Sequence, residues 1–249
     1  MTNLRTIAIA ALCIVMSMAA TYSADAQENA TGKYKKALFI GAHPDDNEAS
    51  VGGTMLKLRQ QGCEVVCVDL THGEAGIEGK THQEAAAIRT REAQAAARDF
   101  DVKLVMMTQI DGNTEVNKAR YDEMKAVIAT EKPDVVFTHW PIDSHRDHRA
   151  CSMLVYDAWR QLDHSFDLYY YETMTGLQTM GFMPDTYVDI SDVVDKKYEA
   201  CQHHVSQNIN NSINNWHKPV DTMRGHEFHC KAAEAFKKQI WDKSEIMGQ

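Results

Sequence analysis

The chain has 249 residues, 44% of them apolar, and no Pro/Gly/Ser-rich linker divides it, so one sizeable α/β domain is expected and not two small ones. Its formal net charge is −9 and no basic cluster is present, which argues against a nucleic-acid backbone or an anionic membrane surface as partner and leaves metals and neutral small molecules. Five of the cysteines lie beyond Ala26 (Cys63, Cys67, Cys151, Cys201, Cys230), an odd number without framework spacing that argues against a disulfide scaffold.

Residues 1–26 read as a secretory signal. Arg5 gives a positive start, 7–20 is an apolar run, and Ala24-Asp25-Ala26 has the small-residue form of a cleavage site. The expectation is a secreted or periplasmic protein beginning at Gln27. Cys13 lies inside the apolar run without small residues after it, so it is not read as a lipid attachment site. No other stretch approaches the roughly 18 apolar residues of a membrane span. Residues 27–35 are polar and are expected to be a disordered lead-in to a single domain over 36–249.

A near-continuous apolar run at 36–42 predicts a strand covered on both faces. Val51, Met55 and Leu58 recur at helical spacing over 48–61, with Gly62 placed to end the helix. Strands are predicted at 65–70, 104–107 and 134–138, separated by an Ala-rich helix at 84–100 and by a helix marked by Val116, Ala119, Met124, Val127 and Ile128. The loop 71–81 carries Gly73, Gly76 and Gly79 and leaves a strand end, where it can wall a pocket. A helix follows from His148 to about Leu162 with Asp147 as its cap, then strands at 168–172 and 187–190, a helix from the cap Ser191 through Gln207, and a last helix over 232–240. Tyr169, Tyr170 and Tyr171 alternate across their strand. Cys63 and Cys67 are core residues, and Gly52-Gly53, without the spacing of a dinucleotide fingerprint, permits close helix packing. The alternation defines a Rossmann-like, doubly wound, mostly parallel right-handed sheet with helices on both faces.

The chemistry concentrates at two strand ends. In an open α/β sheet ligands bind outside the carboxyl ends of the strands. Directly after the first strand stand His43-Pro44-Asp45-Asp46, and after the fourth stand His145-Arg146-Asp147-His148. If His43, Asp46 and His148 bind one divalent metal, three nitrogen and oxygen ligands leave room for water and substrate, as at a catalytic zinc site. A metal-bound water is acidified toward neutral pH, and Asp45, the neighbouring free carboxylate, can take its proton. His145 is placed to stabilise an oxyanion or protonate a leaving amine, and Asp147 to orient an imidazole. Taken singly, these aspartates can equally be helix caps and His43 a turn histidine. Two histidines and a carboxylate also describe the facial triad of a non-haem iron oxygenase, which the additional Asp45 disfavours. A non-catalytic sugar-binding protein on the same fold would have no need of Asp45 or His145.

At these residues the sequence resembles the PIG-L or LmbE-like family of zinc-dependent N-deacetylases. Ala42-His43-Pro44-Asp45-Asp46 is similar to the family's A-H-P-D-D signature, followed by Gly52-Gly53-Thr54, and His145-Arg146-Asp147-His148 resembles its H-x-D-H element with Arg where Pro is common. Gly73-Glu74-Ala75 resembles the G-E-A loop, Arg89-Thr90-Arg91-Glu92 the R-x-x-E pair, Lys197 to Gln207 the K-x-x-A-x-x-x-H-x-S-Q segment, and Ala233-Glu234-Ala235-Phe236 a terminal A-E-A-F. The resemblance implies an LmbE-like fold, one Zn2+ on His43, Asp46 and His148, Asp45 as base, His145 as acid or oxyanion group, and an N-acetylated sugar or glycoconjugate of N-acetylglucosamine type as the small-molecule partner. It also implies a substrate contact at Arg89 and, more weakly, at Glu74 and His204. Family members often form oligomers, so a homo-oligomer is compatible with it.

Overall fold

The computed structural model describes residues 32–241, so the expected signal segment and most of the lead-in lie outside it. The elements are β1 (Lys36–Gly41), α1 (Asp46–Gln60), β2 (Glu64–Thr71), α2 (His82–Phe100), β3 (Lys103–Gln109), α3 (Lys118–Glu131), β4 (Val135–His139), α4 (Arg146–Gln161), β5 (Asp167–Tyr171) and β6 (Thr186–Asp189). Then come α5 (Val194–Cys201), a short α6 (Ile209–Ser212) that runs through a π-turn (Ile213–His217) into α7 (Lys218–Glu227), and β7 (Ala233–Lys238).

The seven strands form one mixed sheet in the order β3-β2-β1-β4-β5-β7-β6. The first five are parallel to their neighbours, and β7 pairs antiparallel with both β5 and β6. Alternating side chains feed two cores. Ala37 and Phe39 of β1 and Tyr169 and Tyr171 of β5 pack with α1, α2 and α5 on one face, while Leu38, Ile40, Leu168 and Tyr170 pack with α3 and α4 on the other. A strand buried on both sides needs apolar residues at every position, hence the unbroken run in β1. Phe39 and Phe137 stack across β1 and β4 with ring centroids 4.5 Å apart.

Strand order reverses direction between β1 and β4, and the crevice at such a switch point lies outside their carboxyl ends. Both chemistry-bearing segments leave the sheet there. α1 is not uniform: Val51 has φ −136°, breaking the helix in its second turn. The N–H groups of Gly53 and Thr54, beyond the break, donate to Glu234 Oε1 and Oε2 of β7 at 2.8 and 2.7 Å. The glycines are there for close approach, since a Cβ on Gly53 would sit 2.6 Å from Ile190 and one on Gly52 2.8 Å from Phe100.

Three expectations are corrected. The segment expected as a last helix over 232–240 is the strand β7: Ala, Glu and Lys favour a helix in isolation, but the slot between β5 and β6 pairs this backbone on both sides. The helix expected from Ser191 through Gln207 starts at Val194 and ends at Cys201, because Ser191 donates its hydroxyl to Asp189 instead of capping. Asp147 does not cap α4; His145 does, its Nδ1 accepting from the Asp147 N–H at 3.3 Å. The lead-in is anchored at its described end, where Tyr34 donates to Asp167 at 2.6 Å and the Lys35 N–H to Asp134 at 2.7 Å.

Candidate metal centre and active-site pocket

The turn after β1 builds the centre. Asp45 adopts φ 109°, a left-handed conformation rare outside glycine that costs on the order of 1–3 kcal/mol and persists only where surroundings enforce it. Arg89 of α2 enforces it. The buried guanidinium donates through Nη2 to the Pro44 carbonyl at 2.5 Å, and the same nitrogen lies 3.3 Å from Asp45 Oδ1. Its slot exists because Gly73 and Gly76 lack side chains: a Cβ at either would fall 2.5 or 2.3 Å from Arg89 Nη1.

Asp46, the first residue of α1, accepts the His43 N–H through Oδ2 at 2.8 Å. Its carboxylate also faces three imidazoles: His43 Nδ1 at 3.2 Å, His139 Nε2 at 3.3 Å and His148 Nε2 at 3.4 Å. The far side of each ring is held by a further partner. His43 Nε2 lies 3.1 Å from Asp147 Oδ2 and 3.2 Å from Asp111 Oδ1, which places its proton there. His148 Nδ1 faces Asp143 Oδ1 at 3.3 Å, and His139 Nδ1 faces Thr173 Oγ1 at 3.2 Å. His139 Nε2 accepts the Ala42 N–H at 3.0 Å, so it has no proton to offer Asp46. The His43 Nδ1 contact with Asp46 is attractive when the ring carries a second proton, which burial opposes and Asp111, Asp147 and Asp46 favour, or when a cation lies between ring and carboxylate. Four buried carboxylates (Asp46, Asp111, Asp143, Asp147) around three buried imidazoles are a donor set and a charge excess that fit a divalent cation. Among the described residues, donor atoms gather within 4.8 Å in His43/His145/His148, Asp46/His139/His148 and His43/Asp111/Asp147. The expected ligands His43, Asp46 and His148 are spread over these overlapping groups, with Asp46 joining the two histidines.

The electrostatics follow the contacts. Burial works to raise Asp46, but the charges of His148 and His139 outweigh it and hold the carboxylate well below its usual range. Burial likewise opposes charge on His148, yet Asp46 and Asp143 bring it up to about 9. Burial and the neighbouring His148 bring His139 down to about 4. Asp45 is raised by burial, with Arg89 opposing. His145 is lowered, first by burial and then by His43 and His148, so its neutral ring, with Nδ1 occupied as acceptor, carries its proton on Nε2.

A pocket of about 450 Å³ opens over the centre, with His43, Asp45, Asp46, Arg89, His145 and His148 in its wall. Asp147 lies beneath it, accepting from the Gly112 N–H and the Thr114 hydroxyl, each at 2.7 Å, as well as facing His43. Glu74 does not reach the wall; it accepts the Asp111 N–H at 3.1 Å and so fixes the loop that carries Asp111. His204 is fully buried, 3.6 Å from Glu48 Oε1, and also lies off the wall, whereas Gln207 from the same segment lines it. Glu92 pairs not with Arg89 but with Ser206, accepting its N–H at 2.9 Å and its hydroxyl at 2.6 Å. His139, Asp111 and Asp143 were not singled out in the sequence. His139 and Asp111 share one legible signal, a position at or just past the carboxyl end of an apolar strand run.

A switch-point sheet carrying a histidine–carboxylate cluster that could hold a metal ion, under an open pocket, is the architecture of an α/β enzyme. The family model "PIG-L: GlcNAc-PI de-N-acetylase" matches residues 38–159. The chain is 34% identical over 188 residues to a diacetylchitobiose deacetylase of Thermococcus kodakarensis, covering 70% of each chain. It is 26% identical over 195 residues to a 4-oxalmesaconate hydratase of Pseudomonas putida, covering 71% of this chain and 75% of that one. The solved N,N'-diacetylchitobiose deacetylase of Pyrococcus horikoshii superposes with a TM-score of 0.73 at 26% identity, covering 86% of both chains. The chain belongs to the PIG-L/LmbE-like deacetylase family.

Proposed function

We propose that this chain is a zinc-dependent hydrolase that removes the acetyl group from an N-acetylated amino sugar or glycoconjugate of N-acetylglucosamine type. The observation that supports it best is a division of labour between adjacent carboxylates: Asp46 is surrounded by imidazole nitrogens, while Asp45 is turned from them toward Arg89 and the pocket. The deacetylases of Thermococcus and Pyrococcus support the substrate class.

A zinc held by His43, Asp46 and His148 supplies a Lewis acid for the amide carbonyl and lowers the pKa of water. Asp45 accepts the proton of the attacking water, a task suited to a carboxylate whose burial raises its basicity. Its strained backbone fixes it facing the pocket. His145 donates its Nε2 proton toward the carbonyl oxygen as negative charge develops there. Asp147 and Asp111 keep the His43 proton on Nε2, and Asp143 orients His148. The C–N bond breaks, the nitrogen takes up a proton from the base and acid pair, and acetate and a free amine leave.

The test is acetate release from N-acetylglucosamine and diacetylchitobiose by the zinc-loaded protein, with chelated protein and Asp45→Asn as controls. Release that needs zinc and falls about 10²–10⁴-fold in Asp45→Asn is expected. Zinc-bound protein that binds these sugars and releases no acetate would sink the reading in favour of a sugar-binding protein. Hydration of 4-oxalmesaconate would favour the chemistry named for the Pseudomonas relative, and oxygen consumption with bound iron an oxygenase. Residues 1–26 are proposed to be removed on export, for which N-terminal sequencing of the exported protein should read Gln27 first.

A further inference from the structure

The pocket has an annex. Beside Asp45 and Asp46 lies a second cavity of about 50 Å³, which shares Met174 and Ser212 with the larger pocket. Its far wall comes from α1, through Ala49 and Ser50, and from the segment that carries Ile209 and His217. His217, buried at the end of the π-turn Ile213–His217, lines that wall.

An amide substrate must bring its carbonyl carbon to Asp45 and Asp46, and its two substituents then leave that point in different directions. A sugar ring needs the 450 Å³ pocket, while 50 Å³ is room on the order of a few water molecules. The annex therefore takes the smaller substituent. Its size, more than its polarity, suits a methyl group: Ala49, Ile209 and Met174 offer apolar surface beside Ser212, His217 and Ser50, whose hydroxyl turns to Thr173 at 3.4 Å. His217, which burial holds down to about 3, offers no cation that would favour an acidic acyl chain.

We propose that this annex is the acyl subsite and that its size restricts the enzyme to acetyl and near-acetyl amides, with Met174 and Ile209 setting the length limit. This rests on the deacetylase reading. A methylene that does not fit a hydrophobic pocket changes kcat/KM by about 10-fold or more. The experiment measures kcat/KM of the zinc-loaded protein on N-acetyl-, N-propionyl-, N-butyryl- and N-hexanoylglucosamine, for the parent and for Met174→Ala and Ile209→Val. Within each protein the butyryl-to-acetyl ratio is the readout, so losses common to all substrates cancel. The parent is expected to lose at least about 10-fold from acetyl to butyryl and more at hexanoyl. Met174→Ala, in a loop where folding is little at risk, should raise that ratio several-fold, and Ile209→Val should raise it less. A flat chain-length profile in an active parent, or equal ratios in parent and variants, would overturn the acyl subsite and leave the deacetylase reading standing. No acid released from any of the four by zinc-bound parent would overturn both.

Discussion

Arg89 Nη2 donates to the Pro44 carbonyl and lies 3.3 Å from Asp45 Oδ1, so one buried cation both shapes the turn and faces the carboxylate that the turn presents. Lysine keeps the charge but not the planar fork. Arg89→Lys is therefore expected to lower kcat about 10-fold or more while KM stays within a few-fold. Steady-state kinetics on the acetate-releasing substrate decide it. A rise in KM at unchanged kcat would show that Arg89 contacts substrate and does not position Asp45.

Asp147 backs the candidate metal centre from below. It holds His43 Nε2 while being held by the Gly112 N–H and the Thr114 hydroxyl, and these contacts keep its carboxyl well below the usual range against the opposing effect of burial. Asp147→Asn should weaken zinc binding by about 10–100-fold, read by competition with a chromophoric chelator. Thr114→Val should move affinity in the same direction by less. Unchanged affinity in Asp147→Asn would remove it from the ligand-orienting role.

The break in α1 depends on a residue far along the chain. Glu234 caps Gly53 and Thr54 and pairs through Oε1 with the buried Lys197 Nζ at 2.8 Å. Glu234→Ala leaves both N–H groups and part of the lysine charge without a partner, and should cost about 3–5 kcal/mol in urea unfolding. Gly53→Ala meets Ile190 and Glu234 and should cost about 1–3 kcal/mol. A Gly53→Ala protein as stable as the parent would mean that Ile190 can move aside.

Acid stability has an identifiable contributor at the far end of the sheet. Burial would raise Asp167, but hydrogen bonds from Lys33, Tyr34 and Lys238 bring it to about 2, below its ordinary 3.8. A carboxyl lowered by folding contributes stability that is full above its ordinary value and fades as pH falls from about 4 through 2. Asp167→Asn should unfold more readily at neutral pH and show a flatter stability curve between pH 4 and 2. Parallel curves for parent and variant would assign the acid limb elsewhere.

The parallel half of the sheet was legible because strands buried on both faces are apolar at every position, and a helical spacing follows each. The gathering of His43, Asp46 and His148 at one switch point was legible because short-range motifs at two strand ends carry them. Asp111 was not, since its partner His43 lies dozens of positions away, and His139 and Asp143, though close in sequence to His148, fall outside the His-Arg-Asp-His element and are turned to the centre only by the fold. β7 misled for the opposite reason. Its Ala-Glu-Ala composition carries a local helical preference that pairing with β5 and β6 overrides. Asp147, read as a cap by position, is pulled inward by Gly112 and Thr114, leaving the capping to His145.

The cap on α1 also joins the two ends of the sheet-forming chain. The helix that presents Asp46 is among the first to leave the ribosome, yet the carboxylate that closes its break sits on β7, the last strand of the sheet. A nascent chain stalled before Ala233 has the His-Pro-Asp-Asp turn but lacks the clamp behind it. The candidate ligands His43, Asp46 and His148 all precede β7, so the helix presenting Asp46 is completed by a carboxylate that none of their own motifs contains.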